Sequence, residues 1–351
     1  MTAPATLAAT GRPDDGTRLR PVPWQRMAWV TWRQHRSALL GAAALLGALA
    51  VCLGVVGLQL HHDYAAAGTC RPASSPACAE LAATSNGVGG FLANGFLLQV
   101  VPALIGAFVG APVLARELEA GTFRYAWTQG FGRWRWALAK LVALGAVVTL
   151  AAGAVSALTT WYYQPYFATA NEARSLTELN PLAPGLFDLR GVAFAAWTLA
   201  AFAIGGLAGM LARRVVPAIV ATLVVYAGLA LAAGGWLRQH YVAPLTVRGP
   251  SVPGSAWILS QRWTTRAGRP VSQAVIDRVL LAAPPGIAGK GGVPKSSGTV
   301  GYLFQHGYTQ VTSYQPAGRF WQFQWIEGGW LLALSVLLVA VTVVLVRRRV
   351  V

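Results

Sequence analysis

The sequence predicts an all-α integral membrane protein with six transmembrane helices. Three observations predict it. Hydrophobic residues make up 55% of the 351 and charged residues only 11%, where a soluble chain carries roughly 25% charged residues. Six apolar runs reach the ~20 residues that an α-helix needs to cross the hydrocarbon core of a bilayer. The alternating ten-residue segments of a membrane β-barrel are absent.

Residues 1–23 are rich in Ala, Thr and Pro, carry Asp14 and Asp15, and contain no apolar signal-peptide core. They are expected to be a disordered cytoplasmic tail. Residues 24–36 interleave Trp24, Trp29 and Trp32 with Arg26, Arg33 and Arg36. At helical spacing Trp24, Met27, Ala28 and Trp32 share one face with Arg26 and Arg33 opposite, and Trp29 falls nearer the arginines. That pattern predicts an amphipathic helix at the membrane interface.

The spans are expected at residues 37–60, 89–115, 141–163, 191–212, 215–237 and 328–346. None of these cores contains Asp, Glu, Lys, Arg or His. Lys and Arg set their orientation. The segments before span one, between spans two and three, between four and five, and after six hold sixteen of them, among them Arg116, Arg133, Lys140, Arg213 and Arg214. The two short connections on the other side hold three: Arg71, Arg174 and Arg190. Both termini are therefore expected in the cytoplasm. The segment 238–326, the longest connection, then falls outside, and residues 347–351 form a cytoplasmic tail. The charge of +17 follows from these end clusters and does not call for nucleic acid as a partner. Cys70 and Cys78 share the first outside connection, where an oxidising compartment permits a disulfide. Cys52 lies within span one as a small packing residue.

The spans lack the ionisable groups through which ion-coupled transporters work. Neutral polar residues such as Gln99 and Ser156 are as readily helix–helix glue as a pathway, and Gly106 and Gly110 form a weak GxxxG. There is no GxxxxGK[ST] loop to cradle a nucleotide, so energy would come from a partner. His61, His62 and Asp63 form the only tight cluster of metal-binding types, and it sits at a span end.

The connection between spans two and three is the most informative stretch. Arg116-Glu117-Leu118-Glu119-Ala120 continues span two as a charged helix. Gly121 suits its end in the left-handed conformation, and Thr122 suits the cap of a following helix. Gly130 and Gly132 make a turn before Arg133. Glu119-Ala120-Gly121-Thr122 followed by Arg133 and Lys140 resembles the E-x-G-T … R … K signature of type-2 ABC exporter permeases. Trp29 to Arg36 and Tyr314 to Glu327 are similar to stretches found in the actinobacterial members.

This resemblance implies a permease subunit of an ATP-driven exporter in the bacterial plasma membrane. It implies a cytoplasmic coupling helix, with Glu117, Glu119, Gly121, Thr122, Phe123, Arg133 and Lys140 as contacts to a separate ABC ATP-binding subunit. It also implies an elbow helix over 24–36 and a second copy or a sister permease as partner. The chain itself would be no enzyme and hold no cofactor; ATP and magnesium would sit on the ATP-binding subunit. The outside segment 238–326 has one acid, Asp277, and one helical patch near Val271 to Leu281. It is read as a lid or gate over an exit path, as a basic surface that attracts anionic substrate or lipid headgroups, or as a plain solvated loop. Tyr314, Phe320, Trp321, Phe323, Trp325 and Trp330 are read as an interfacial belt. Two other readings stand beside the exporter: a non-transporting sensor or immunity protein, and a membrane-embedded enzyme acting on lipid.

Overall fold

A computed structural model of the chain describes residues 24–69, 96–121, 133–169, 180–249, 256–283 and 297–349. Helix α1 (Trp24–Thr69) runs without interruption. The expected elbow and the first span are thus one continuous helix. The physical reason is local: no Gly or Pro lies between Trp24 and Leu40, so nothing breaks the hydrogen-bond ladder there. Trp29 and Trp32 are exposed, and the Arg33 guanidinium lies 5.4 Å from the Trp29 ring centre. Arg36 is exposed as well. Cys52 is exposed on this helix rather than packed in the core.

The second span joins α2 (Phe96–Ile105) to α3 (Pro112–Ala120) through a π-helical turn, Gly106–Gly110. The third is α4 (Arg133–Tyr162), followed by two short helices, α5 (Gln164–Thr169) and α6 (Pro184–Phe187). The fourth is α7 (Ala193–Ala212) and the fifth α8 (Val215–Ala232). Helix α8 is prolonged by a π-helical turn, Ala233–Leu237, and a 3-10 turn, Arg238–His240. Among the described residues, six helices are long and apolar enough to cross a membrane, including Leu98–Ala120, Val215–His240 and Ala317–Arg348.

The fourth span is the hub, packing against the second, third, fifth and sixth. Small residues bring the second and fourth spans together. A Cβ on Gly106 would lie 2.6 Å from the Ala201 carbonyl oxygen, and one on Gly110 2.7 Å from that of Phe202. Gly205 faces Gly106 in turn. The GxxxG of span two therefore serves a crossing inside this chain.

Between spans five and six the chain forms a four-stranded antiparallel sheet, ordered β1-β4-β2-β3. Its strands are β1 (Leu245–Arg248), β2 (Trp257–Thr265), β3 (Pro270–Val271) and β4 (Tyr308–Gln315). The long pairing runs from Trp257↔Gln315 to Thr265↔Tyr308. Helices α9 (Gln273–Leu281) and α10 (Ser297–Gln305) join it through a small core of Trp263, Ile276, Leu280 and Leu303. The helical patch expected near Val271 to Leu281 is α9; the strands extend that expectation. The sixth span, α11 (Phe320–Arg349), closes the chain. The bundle thus has a sheet end and, opposite it, a loop end carrying Gly121, the start of α4 at Arg133 and the Arg213-Arg214 turn.

Candidate functional site: two polar clusters and a cavity

At the loop end, α3 finishes on Gly121 with φ +69°, the left-handed geometry that glycine adopts at no steric cost. One turn earlier, Glu117 pairs with Lys140 of α4. The Lys140 side chain is only 3% exposed, and its ammonium sits 4.7 Å from the Trp136 ring centre. This pair ties together the two stems of the connection between spans two and three. Glu119 reaches elsewhere: its Oε2 accepts the backbone N–H of Val215 at 3.0 Å. Val215 opens the fifth span, where free N–H groups and the helix dipole favour a carboxylate. Arg213, at φ +55°, makes the tight turn that presents this N-terminus. Arg133 opens α4. Thr122 and Phe123 lie outside the described residues, as do Cys70 and Cys78.

At the sheet end, Arg238, Asp188 and Glu327 form a buried ionic cluster. Arg238 and Glu327 are fully buried. Arg238 donates from Nε to Glu327 Oε2 at 3.0 Å and from Nη2 to Oε1 at 2.8 Å. The same Nη2 meets Asp188 Oδ1. Glu327 also accepts from Trp197 Nε1 at 2.8 Å and Tyr241 Oη at 3.1 Å. Nearby, Gln324 accepts the N–H of Ala193 and donates to the Phe187 carbonyl. Spans four, five and six are knitted together here. Burial pushes the Asp188 carboxyl up to about 7, with the Glu327 charge adding to the rise and Arg238 opposing it.

These charges correct the expectation of ion-free spans. Lys140, Arg238 and Glu327 lie one residue beyond the predicted cores, yet inside the helices that cross the bundle. Each apolar window stopped at the first charge, whereas the helix continues because a partner compensates that charge. The aromatic belt is also revised. Trp321 and Trp325 are exposed, but Phe320 and Phe323 are buried in the core, and Trp330 donates to Tyr241 Oη. Ser156 acts as helix glue, donating to the Gly191 carbonyl at 2.7 Å. Among the described residues, no group of three His, Cys, Asp or Glu side chains is placed to hold a metal. His61 instead stacks on Trp161 at 4.5 Å.

Beside the sheet-end cluster lies a cavity of about 660 Å³ between the second, fourth and fifth spans. Pro102, Phe194, Trp197, Tyr226, Gly235 and Asp188 line it, and Gln99 reaches it from the second span. It opens at the bundle surface past the exposed Val100, Leu223 and Leu231.

A family model described as ABC-2 membrane transporter related matches residues 43–238. The chain belongs to that family. The match runs from within the first span through the fifth, takes in both stems of the loop-end connection, and has Arg238 as its last residue. Comparison with curated proteins and with solved structures gave no match. Family and fold agree: this ABC-2 protein is a multi-pass membrane component of a transporter, and its chemistry is that of a permease rather than a catalyst.

Proposed function

We propose that this ABC-2 chain is the path-forming permease of an ATP-driven exporter, with both termini in the cytoplasm and a separate ABC ATP-binding subunit docked at the loop end. The observation that carries the reading is the wiring of the loop-end stems. Glu117–Lys140 clamps the second span to the third, and Glu119 fastens the second span to the fifth. A push on residues 121–133 is therefore delivered to three spans at once, as a coupling element requires. ATP and magnesium belong to the partner. Two copies, or this chain with a sister permease, enclose the path, and the exposed apolar faces of the first and fifth spans are available for that pairing or for lipid.

The test is reconstitution with an ABC ATP-binding subunit, sought first among the products of the genes that neighbour this one. The permease is expected to co-purify with it and to raise its ATP hydrolysis, and Glu119→Ala is expected to remove the rise while leaving membrane insertion intact. A permease that neither binds nor stimulates that subunit refutes the coupling.

A further inference from the structure

We propose that the cavity between spans two, four and five binds a hydrophobic monocation, its charged centre beside Asp188 and its apolar body against Val100, Leu223 and Leu231. The inference rests on reading the chain as a permease and names the substrate class for that path. A volume of about 660 Å³ falls within the range of small-molecule pockets, roughly 300–1,000 Å³. The wall is mostly apolar, and the second and fifth spans are irregular beside it. Pro102 interrupts the ladder of one, and the π-helical turn holding Gly235 widens the other.

Charge decides the sign of the ligand. The cluster behind the wall holds one guanidinium, Arg238, and two carboxylates, Asp188 and Glu327. Glu327 is satisfied: it takes Arg238 twice, with Trp197 and Tyr241. Asp188 meets Arg238 through Oδ1, keeps a quarter of its side chain exposed, and lines the cavity. Arg238 is wholly buried and does not line it. The cavity therefore meets the surplus negative charge and not the positive one. Trp197 and Tyr226 also line it, and aromatic rings favour cations. An anion would meet the Asp188 carboxylate at the wall, while Arg238 lies behind it and does not line the cavity. The groups facing Asp188 are Arg238 and Tyr226 from the fifth span and Glu327 from the sixth, with Tyr241 across Glu327. Of these, the Asp188 carboxyl is the one pushed up to about 7, so protons compete with the ligand and binding weakens as pH falls from 8 to 6.

The experiment uses the full chain in lipid nanodiscs, with empty discs subtracted, and a pair of near-isosteric probes: tetraphenylphosphonium and tetraphenylborate. Saturable phosphonium binding at pH 8 is expected, without saturable borate binding. Asp188→Asn is expected to weaken it about ten-fold or more, the scale of losing one charged contact. Ala227→Phe, which fills the cavity from the fifth span without touching the ionic cluster, is expected to abolish it. Thermal unfolding of each variant shows whether it is folded, and either variant suffices if the other is not. Phosphonium binding that does not exceed empty discs overturns the proposal. So does borate binding of equal strength, which would make the occupant any apolar body, such as a lipid chain. Unchanged binding in folded Asp188→Asn does the same. No ATP-binding subunit is in this assay, so its failure leaves the coupling intact, and failed ATPase stimulation with binding preserved sinks the coupling alone.

Discussion

Glu119 Oε2 accepts the backbone N–H of Val215 at 3.0 Å, so the last turn of the second span caps the first turn of the fifth. The bond joins residues 96 positions apart. It places the acidic member of the E-x-G-T signature at the start of a span it does not belong to. Removing it costs stability only modestly, since an exposed cap of this kind is worth ~0.5–1 kcal/mol. Glu119→Ala should therefore lower the unfolding temperature slightly while abolishing stimulation of the ATP-binding subunit. A large loss of stability with coupling retained would reverse the assignment.

Lys140 and Glu117 form a pair that is almost wholly buried. Lys140→Met leaves the Glu117 carboxylate without its partner, and breaking one side of such a pair costs ~3–5 kcal/mol. The double variant Glu117→Gln with Lys140→Met should recover much of that loss. A double-mutant cycle on thermal unfolding in detergent measures it; additive effects would show that the pair is not coupled.

Arg238 holds two carboxylates at the sheet end. Arg238→Met strands both Glu327 and Asp188, so it should destabilise the chain by at least the ~3–5 kcal/mol of a broken buried pair. Glu327→Gln keeps one of the two acceptor oxygens that Trp197 and Tyr241 use and leaves Arg238 its Asp188 partner, so it should be milder. Comparison of the two unfolding temperatures ranks them.

Gly106 meets the fourth span so closely that a Cβ would lie 2.6 Å from the Ala201 oxygen. Gly106→Val should force the two spans apart and cost ~1–3 kcal/mol or more. Gly153→Ala, at a position with open space around it, should be neutral. Parallel melting curves check the contrast.

Asp188 supplies a pH dependence whose sign is fixed. Its carboxyl lies at about 7 in the folded chain against an ordinary value near ~3.9 when unfolded. The folded state then binds more protons between these values, so stability falls as pH rises from about 4 to about 7 and is level beyond. Asp188→Asn should flatten this slope. Unfolding temperatures of both proteins across pH 5 to 8 read the difference.

The strands between spans five and six show where sequence reading reaches its limit. Trp257–Thr265 and Tyr308–Gln315 are half-buried and carry Ser, Thr, Gln and Arg, so neither stands out as an apolar run. They become strands because each covers the other's backbone groups across more than forty residues. The helical patch was legible because its apolar period is local. Gly121 was legible for the same reason, since a helix end needs its left-handed residue at one particular position. The amphipathic pattern marks where the character of α1 changes, and the absence of Gly and Pro between Trp24 and Leu40 keeps its backbone continuous.

Length and charge alone determined that this chain holds six helices long and apolar enough to cross a membrane, because the cost of leaving an apolar helix in water, or an uncompensated charge in lipid, is local. The same local logic bounded the third, fifth and sixth predicted spans at Lys140, Arg238 and Glu327. Only the tertiary structure decided that these charges belong inside the bundle. Their partners, Glu117 for Lys140 and Asp188 and Glu327 for Arg238, are brought by other helices, and the energy of a buried ion pair depends on a distance that no single segment contains.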